Sequence, residues 1–193
     1  MKRYILVFAA ACALAACNNG NNNDNSDSAD SKKMADKAND QKFDDSNRER
    51  DADFAVKAAD GGMMEVALGR LAQTKGSTAE VRTFGGNMVT DHSAANAELK
   101  ALAAQKNITL PDTLSQDKQD KYNDLAKKSG MDFDKAYIDF MVDDHKDDID
   151  EFQKEADKGN DPELKNWASQ KLPTLRHHLM MAEDAQKMVK DKK

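Results

Sequence analysis

The chain has 193 residues, of which 33% are charged, and its acidic side chains outnumber its lysines and arginines by 35 to 29, for a formal charge of -6 at pH 7. Nucleic acid is not expected as a partner, because phosphate contact needs clustered basic residues and here they are interleaved with more numerous carboxylates. The sequence also has no glycine-rich phosphate loop, so nucleotide binding has no support.

The first 16 residues have the pattern of a secretory signal. Lys2 and Arg3 precede an apolar run at 4–16, which is shorter than the roughly 20 residues that a membrane-spanning helix needs. The run ends in Leu-Ala-Ala followed by Cys17, a sequence that resembles the lipobox of bacterial lipoproteins. This resemblance implies that Cys17 is acylated and becomes the first residue of the mature chain. A cleaved signal with an incidental cysteine is the alternative.

A lipid on Cys17 would anchor this chain to the membrane. Each buried methylene of an acyl chain contributes about 0.8 kcal/mol, so a multiply acylated terminus anchors a protein without help from the polypeptide. Asn18 stands where some inner-membrane lipoproteins carry aspartate, and by that resemblance the outer membrane is favoured. Removal of residues 1–16 takes away two basic groups, so the mature chain would carry a formal charge of -8, with no free thiol.

Residues 17–50 are predicted to be a disordered tether. Asn, Asp, Ser, Lys and Arg dominate this segment, and only Met34, Phe43 and a few alanines offer apolar surface. That surface is too small to offset the entropy of ordering the chain. We therefore predict three parts: a signal peptide at 1–16, a tether at 17–50 and a folded domain at 51–193.

The folded domain is predicted to be helical, because its apolar residues recur at helical spacing without an alternating strand pattern. A capping box at 77–80 starts the second long helix, Gly159 ends the third, and Asp161 with Pro162 starts the fourth. Two helical hairpins joined by a crossover of about 24 residues predict an all-α four-helix bundle of the kind that ferritin-like folds form. The predicted helices are 52–74, 77–106, 132–157 and the segment from 162 onward, with a short helix at 115–128 in the crossover.

Two five-residue segments match at four of five positions: Met-Val-Thr-Asp-His at 88–92 and Met-Val-Asp-Asp-His at 141–145. In each copy the Met and the His are four residues apart, so they share a face of the helix, and that face is the apolar one. The first and fourth helices also carry an ionisable residue on their apolar faces. The candidate site therefore has one side chain from each helix, at similar heights in the bundle: Glu65, His92, His145 and His178.

One carboxylate and three imidazoles that converge in this way suit Zn²⁺ or Cu²⁺. Met88 and Met141 lie one turn before two of the histidines, and thioethers favour Cu(I), although methionine is also the usual filler of core gaps. A buried hydrogen-bonded network of the same four side chains is the alternative, and the residues leave this choice open.

Other side chains are candidates for a supporting or alternative role. Asp91 and Asp144 each precede a histidine and point away from it, so they either are structural or orient a histidine of a neighbouring helix. The hydroxyl of Tyr137 can reach the same region, or the ring is simply part of the core. His177 points off the apolar face and is the alternative to its neighbour at 178.

Several short motifs recur along the domain: Phe54 with Ala58-Ala59, 65–69, 88–92, Leu110-Pro111, Tyr137 with 141–145, and Leu172-Pro173 with His178-Leu179. Together they resemble the family of domains of unknown function 4142 (DUF4142), envelope proteins grouped with ferritin-like folds. The resemblance spans about residues 53–188 and implies a fold and an envelope location, without an established reaction. Ferritin-like di-iron proteins carry Glu three residues before a histidine. Here Val89, Val142 and Leu175 occupy those positions, so iron is less expected than zinc or copper.

We therefore expect an envelope lipoprotein that binds a metal ion, for sequestration or stress protection. A non-catalytic structural or interaction module of the envelope, with a buried polar network and an unidentified protein partner, is the alternative. An enzyme is least favoured, because no pair of nucleophile and base is visible, although an open coordination position on a bound metal would support hydrolysis.

Overall fold

The structure is a computed structural model that describes residues 30–191. The predicted signal at 1–16 and Cys17 lie outside the described residues. Within 30–191 the chain forms helices and no strand, and none of these helices is long and apolar enough to cross a bilayer. The predicted all-α class is therefore confirmed. The helices are α1 (Ser31–Asp40), α2 (Ser46–Lys75), α3 (Ala79–Gln105), α4 (Gln116–Ala126), α5 (Gly130–Lys158) and α6 (Pro162–Asp191).

The four long helices form a bundle in which α2 packs against α3 and α5 packs against α6. Contacts of α2 with α5 and of α3 with α6 close the ring, and α4 lies against α2 and α5. Asp134, in the first turns of α5, accepts hydrogen bonds from the backbone N–H groups of Ser77 and Thr78 at 2.9 and 2.8 Å. Since α3 and α5 thus begin at the same end, the crossover between them runs the length of the bundle.

Two of three predicted helix-end residues are observed and one is shifted, while α2 and α5 begin earlier than predicted, at Ser46 and Gly130. α3 begins after Thr78, whose hydroxyl accepts a hydrogen bond from the N–H of Val81 at 3.4 Å, so the predicted cap at Ser77 is wrong by one residue. Gly159 ends α5 as predicted. Asp161 caps α6 as predicted, and its carboxylate accepts two backbone hydrogen bonds at 3.0 Å from the first turn.

The predicted disorder of the tether is wrong for residues 30–50, because this segment contains α1 and the start of α2. The Phe43 ring is 4% exposed and belongs to an apolar cluster with residues of α2, α3, α5 and α6. The Asn39 amide exchanges hydrogen bonds with the backbone of Thr109 in the crossover, at 2.9 and 2.7 Å. Few apolar side chains are enough here, because Ala35, Asn39 and Phe43 follow at four-residue spacing and share one buried face.

α2 and α3 approach each other most closely at a pair of glycines. A Cβ atom on Gly69 would lie 2.7 Å from the carbonyl oxygen of Gly85, and a Cβ on Gly85 would lie 2.7 Å from the carbonyl oxygen of Gly69. Neither position therefore accepts a larger residue without a shift of one helix. This contact holds the two helices at the separation that places Glu65 of α2 beside His92 of α3.

Candidate metal centre

Three histidines from three helices meet inside the bundle. His92 lies on α3, His145 on α5 and His178 on α6, and their exposed fractions are 7%, 0% and 0%. Their ring centroids are 5.2 to 5.7 Å apart, and one nitrogen from each ring lies within 4.8 Å of the nitrogens of the other two. Helical spacing aims each histidine inward, because each follows an apolar residue of its own helix by three or four positions.

One nitrogen of each ring has a hydrogen-bond partner. His145 Nδ1 donates to the backbone carbonyl of Met141 at 3.0 Å, and His178 Nε2 lies 2.8 Å from Asp91 Oδ2. His92 Nδ1 lies 2.6 Å from Glu65 Oε2. The Met141 carbonyl accepts, and so do the carboxyl groups of Asp91 and Glu65 when ionised. With these acceptors the three nitrogens carry the hydrogen, and each neutral ring keeps its lone pair on the other nitrogen.

The other three nitrogens are buried and have no hydrogen-bond partner among the described residues: His92 Nε2, His145 Nε2 and His178 Nδ1. Burial lowers the pKa of His92, lowers that of His145 to about 3 and lowers that of His178 to about 4. The neighbouring histidines lower the pKa of His145 further, whereas the hydrogen bond to Asp91 opposes the shift at His178. At neutral pH the cluster thus presents uncharged imidazoles with free lone pairs, the form that binds metal.

Glu65 of α2 joins the histidines to a group of carboxyl side chains. It is 1% exposed, and its second oxygen, Oε1, has no hydrogen-bond partner in the described chain and lies 3.5 Å from His145 Nε2. Asp144 Oδ2 is also buried without a partner, and Asp148 is close enough to Glu65 to hydrogen-bond with it. Glu65, Asp144 and His145 form a second set of ligand atoms within 4.8 Å of one another.

The carboxyl groups and one lysine perturb each other strongly. Burial, and then repulsion from Asp144, raise the pKa of Glu65 well above the usual range, although a hydrogen bond with Asp148 opposes the shift. Burial, and then repulsion from Glu65 and Asp144, raise the pKa of Asp148 well above that range, and burial also raises the pKa of Asp144. Lys118 of α4 places its Nζ 3.5 Å from Asp144 Oδ1. Burial alone would lower the pKa of Lys118, but Asp144 and Asp148, with Asp60 and Glu65, outweigh it and raise that pKa. Lys118 is therefore a stable cation within an acidic cluster.

The remaining predicted candidates surround the centre in different ways. Tyr137 is 0% exposed, its ring stacks on Phe133, and its hydroxyl has no hydrogen-bond partner within residues 30–191. Met88 and Met141 are fully buried in the apolar core, and Met141 contacts His145 through its carbonyl. His177 is exposed, so His178 is the inward histidine of the pair.

A pocket of about 180 Å³ borders the cluster. Glu65, His92 and His178 face it together with Asp91 and Asp148, whereas His145 lies behind them. Its other wall is mostly apolar, and small side chains at 58, 62, 94 and 95 leave the space open. The pocket therefore gives small ions or molecules a route to two of the three histidines. The larger apolar residues of the wall are Phe152, Trp167 and Leu175.

Sequence reasoning missed two residues of the site, Asp148 and Lys118. Asp148 follows His145 by three positions, so the spacing His-x-x-Asp on α5 was a signal that both side chains share a face. Lys118 had no comparable signal, because its position depends on how the crossover lies on the bundle. The start of α4 is fixed there by Asp60 Oδ1, which accepts a hydrogen bond from the backbone N–H of Ser115 at 2.9 Å.

Comparisons with known proteins bear on the family and leave the chemistry of the site open. No curated protein and no solved structure matches the chain. The ferritin-like grouping therefore stays a prediction. The family model described as "Domain of unknown function (DUF4142)" matches residues 27–185, which is more than half of the chain and begins before α1. The resemblance expected from the sequence motifs is thereby confirmed, and the chain belongs to the DUF4142 family.

Proposed function

We propose that the protein is a lipid-anchored envelope protein that binds one transition metal ion, Zn²⁺ or Cu²⁺, through His92 Nε2, His145 Nε2 and His178 Nδ1. The observation that carries this proposal is the set of three buried imidazole nitrogens whose lone pairs have no hydrogen-bond donor. Each unsatisfied buried acceptor costs about 1 to 3 kcal/mol. A water molecule has two hydrogens and satisfies two of the three, whereas one metal ion binds all three lone pairs.

The surroundings of the histidines support metal binding as well. Ligating histidines in proteins usually donate their other N–H to a carboxylate or a backbone carbonyl, which fixes the ring. Asp91, the Met141 carbonyl and Glu65 have that relation to the three rings. In this proposal Glu65 Oε2 orients His92 through Nδ1, while Glu65 Oε1 lies 3.5 Å from His145 Nε2. The assignment of Glu65 as a ligand stays a prediction, and the proposed fourth position is open to a water or a small ligand from the pocket.

The elements that support envelope anchoring are in the sequence. A basic start, an apolar run and the lipobox-like residues before Cys17 precede the domain. In a bacterial host, wild-type protein should incorporate labelled palmitate and sediment with membranes, and the Cys17→Ala variant should do neither. Membrane association of Cys17→Ala equal to that of the wild type would contradict lipid anchoring.

Elemental analysis of the purified full-length protein tests the metal site, and we expect about one Zn or Cu per chain. His145→Leu is the most informative variant, because within residues 30–191 the hydrogen bond of His145 goes to its own helix, at the Met141 carbonyl. We expect this variant to lose the metal and the rise in melting temperature on addition of Zn²⁺. In the presence of chelator its stability should equal or exceed that of the wild type, because a buried unpartnered nitrogen is replaced by an apolar group.

A structural polar network is the second candidate, and the bonds Glu65–His92 and Asp91–His178 favour it, since they tie α2 to α3 and α3 to α6. On that reading the wild type contains no stoichiometric metal and its melting temperature does not respond to Zn²⁺ or Cu²⁺. His92→Leu separates the two functions further, because it breaks the network through Glu65, which His145→Leu leaves in place. A purely structural role predicts a large loss of stability for His92→Leu, measured in chelator, and no metal effect for either variant.

A further inference from the structure

Glu65 and Asp144 form, with His145, a second set of possible ligand atoms, and its carboxyl oxygens are not used by the three-histidine site. Glu65 Oε1 and Asp144 Oδ2 are both buried, and neither has a hydrogen-bond partner among the described residues. The side chains of Glu65 and Asp144 are 2% and 9% exposed. Asp148 adds a third carboxyl group beside Glu65. Oxygen donors of this kind suit hard divalent cations such as Mg²⁺ and Mn²⁺.

Lys118 reaches this group from α4. Its Nζ lies 3.5 Å from Asp144 Oδ1, and the carboxylates of Asp144, Asp148, Asp60 and Glu65 all favour its charged form. The lysine is the third residue of α4, where the Ser115 side chain that caps the helix accepts a hydrogen bond from the Lys118 backbone N–H at 3.4 Å. The helix start, itself held by Asp60, thus delivers an ammonium group to the carboxyl cluster.

We propose that Lys118 fills a second cation site, formed by Glu65, Asp144 and Asp148, and thereby limits the centre to one metal ion. This inference rests on the proposed three-histidine site. The Lys118 ammonium group supplies one positive charge where a divalent cation would supply two. A divalent cation among the same carboxyl groups would lie close to this ammonium group and be strongly repelled by it. As long as Lys118 is present, a divalent ion is excluded from the carboxyl cluster and held at the imidazole nitrogens.

The proposal gives Lys118 a role in metal specificity. Without the lysine, the cluster would offer oxygen ligands to Mn²⁺ or Mg²⁺, which bind imidazole sites poorly. With the lysine, the bound ion is selected by nitrogen ligands, and these favour Zn²⁺ and Cu²⁺. Lys118 is thus a determinant of both the number and the kind of ions that the protein holds.

The test compares full-length wild-type protein with Lys118→Met and with Lys121→Met. Met has nearly the length of Lys without its charge. Lys121, three residues further along α4, is exposed and its Nζ lies 5.1 Å above the Phe140 ring, so the control removes the same charge from the same helix without touching the carboxyl cluster. Each protein is saturated with Zn²⁺ and then titrated with Mn²⁺, with free Mn²⁺ followed by electron paramagnetic resonance and total metal by elemental analysis.

We expect one Zn²⁺ and no Mn²⁺ per chain in the wild type and in Lys121→Met, and one Zn²⁺ plus one Mn²⁺ in Lys118→Met. The melting temperature should rise with Mn²⁺ in Lys118→Met alone. If that variant is too unstable to purify, Lys118→Gln keeps a donor for Asp144 and carries the same expectation.

Three results would overturn the inference. Binding of Zn²⁺ without Mn²⁺ in both Lys118 variants overturns this inference but not the proposed function. Binding of a second ion by the wild type has the same consequence. Absence of Zn²⁺ from every protein overturns the proposed function, and this inference with it.

Discussion

The bundle interior has two apolar layers and one polar layer between them. One apolar cluster lies toward the end where α3 and α5 begin and contains Phe84, Phe133 and Tyr137, and the other lies toward the opposite end and contains Phe54 and Trp167. On α3, α5 and α6 the histidine of the centre separates the stretches that contribute to the two clusters, and on α2 Glu65 lies next to Met64, where one stretch gives way to the other. The polar layer consists of Glu65, His92, His145 and His178.

The layers differ in how many of their buried polar atoms lack a hydrogen-bond partner. In the apolar layers, aromatic rings pack edge to face, for example Phe54 on Phe152 at 5.1 Å and Phe84 on Tyr137 at 6.0 Å between centroids. In the polar layer and at Asp144 beside it, by contrast, five buried nitrogen and oxygen atoms lack a hydrogen-bond partner within the described chain, whereas the two apolar clusters contain one such atom, the Tyr137 hydroxyl oxygen. The concentration of unpartnered atoms in the polar layer is the feature on which the proposed metal site rests. The five atoms are Glu65 Oε1, His92 Nε2, His145 Nε2, His178 Nδ1 and Asp144 Oδ2.

A truncation in an apolar layer should have the largest effect on stability. Leu164 is 0% exposed within the cluster at the α6 start. Leu164→Ala should reduce the free energy of unfolding by about 2 to 5 kcal/mol, because it removes buried methyl groups and leaves a cavity. Urea unfolding in chelator measures this loss, and the number of Zn²⁺ ions bound per folded chain should not change. A loss below that of His145→Leu under the same conditions would contradict the division of roles between the layers.

Sequence reasoning found the bundle and the three histidines because both depend only on which face of a helix a residue occupies. Apolar spacing identified α2, α3, α5 and α6, and the repeated Met-to-His sequence pointed to His92 and His145. The same reasoning misplaced the start of the domain. α1 is polar in composition and is held by a few spaced contacts, such as those of Asn39 with the crossover, which composition does not reveal.

The finer chemistry of the centre depends on side-chain rotamers and on non-local packing, which spacing does not encode. Glu65 shares the apolar face with potential ligands, and only the structure shows that its Oε2 lies 2.6 Å from His92 Nδ1 while its Oε1 lies 3.5 Å from His145 Nε2. Asp91 was predicted either to be structural or to orient a histidine, and the structure places it on His178. Lys118 lies near the centre because of how the crossover packs on the bundle, and no periodic pattern in the sequence predicts that packing.

Removing the carboxylate that orients a histidine should lower metal affinity less than removing a histidine ligand. Asp91→Asn keeps the size of the side chain but removes the charge that holds His178 Nε2–H. Loss of such a carboxylate typically lowers metal affinity about 10- to 100-fold. We expect this weakening in a competition titration of Zn²⁺ against a coloured chelator. Stability without metal should change by less than about 0.5 kcal/mol, since the Asp91 side chain is half exposed.

The matched control for that experiment is Asp143→Asn, which removes one charge from the exposed face of α5. Its Zn²⁺ affinity should stay within about twofold of the wild type, because exposed charges are well screened. Equal weakening in both variants would mean that Asp91 acts only through the overall charge of the protein.

The smallest expected effect is on the pH dependence of stability, and it comes from Glu155, which lies outside the polar layer near the end of α5. This side chain is 6% exposed, and burial, followed by repulsion from Asp51, raises its pKa from 4.5 to about 7. Between those two pH values the folded protein holds a proton that the unfolded chain releases, so this group makes stability fall as the pH rises through the interval. Glu155→Gln stays neutral, and its advantage over the wild type should therefore grow from pH 5 to pH 8, to roughly 1 kcal/mol.

Urea unfolding at four pH values in chelator measures this difference. Glu151→Gln, one turn earlier on α5, is the control, because the Glu151 side chain is 44% exposed and pairs with Lys57 at 3.7 Å. Its stability should run parallel to that of the wild type at every pH. If Glu155→Gln also runs parallel, Glu155 is ionised in the folded protein, and burial beside Asp51 does not keep this carboxyl group neutral. Burial would then not be a sufficient reason for the raised pKa values of the carboxyl groups next to the histidines, and the contrast between the two regions would rest on the imidazoles alone.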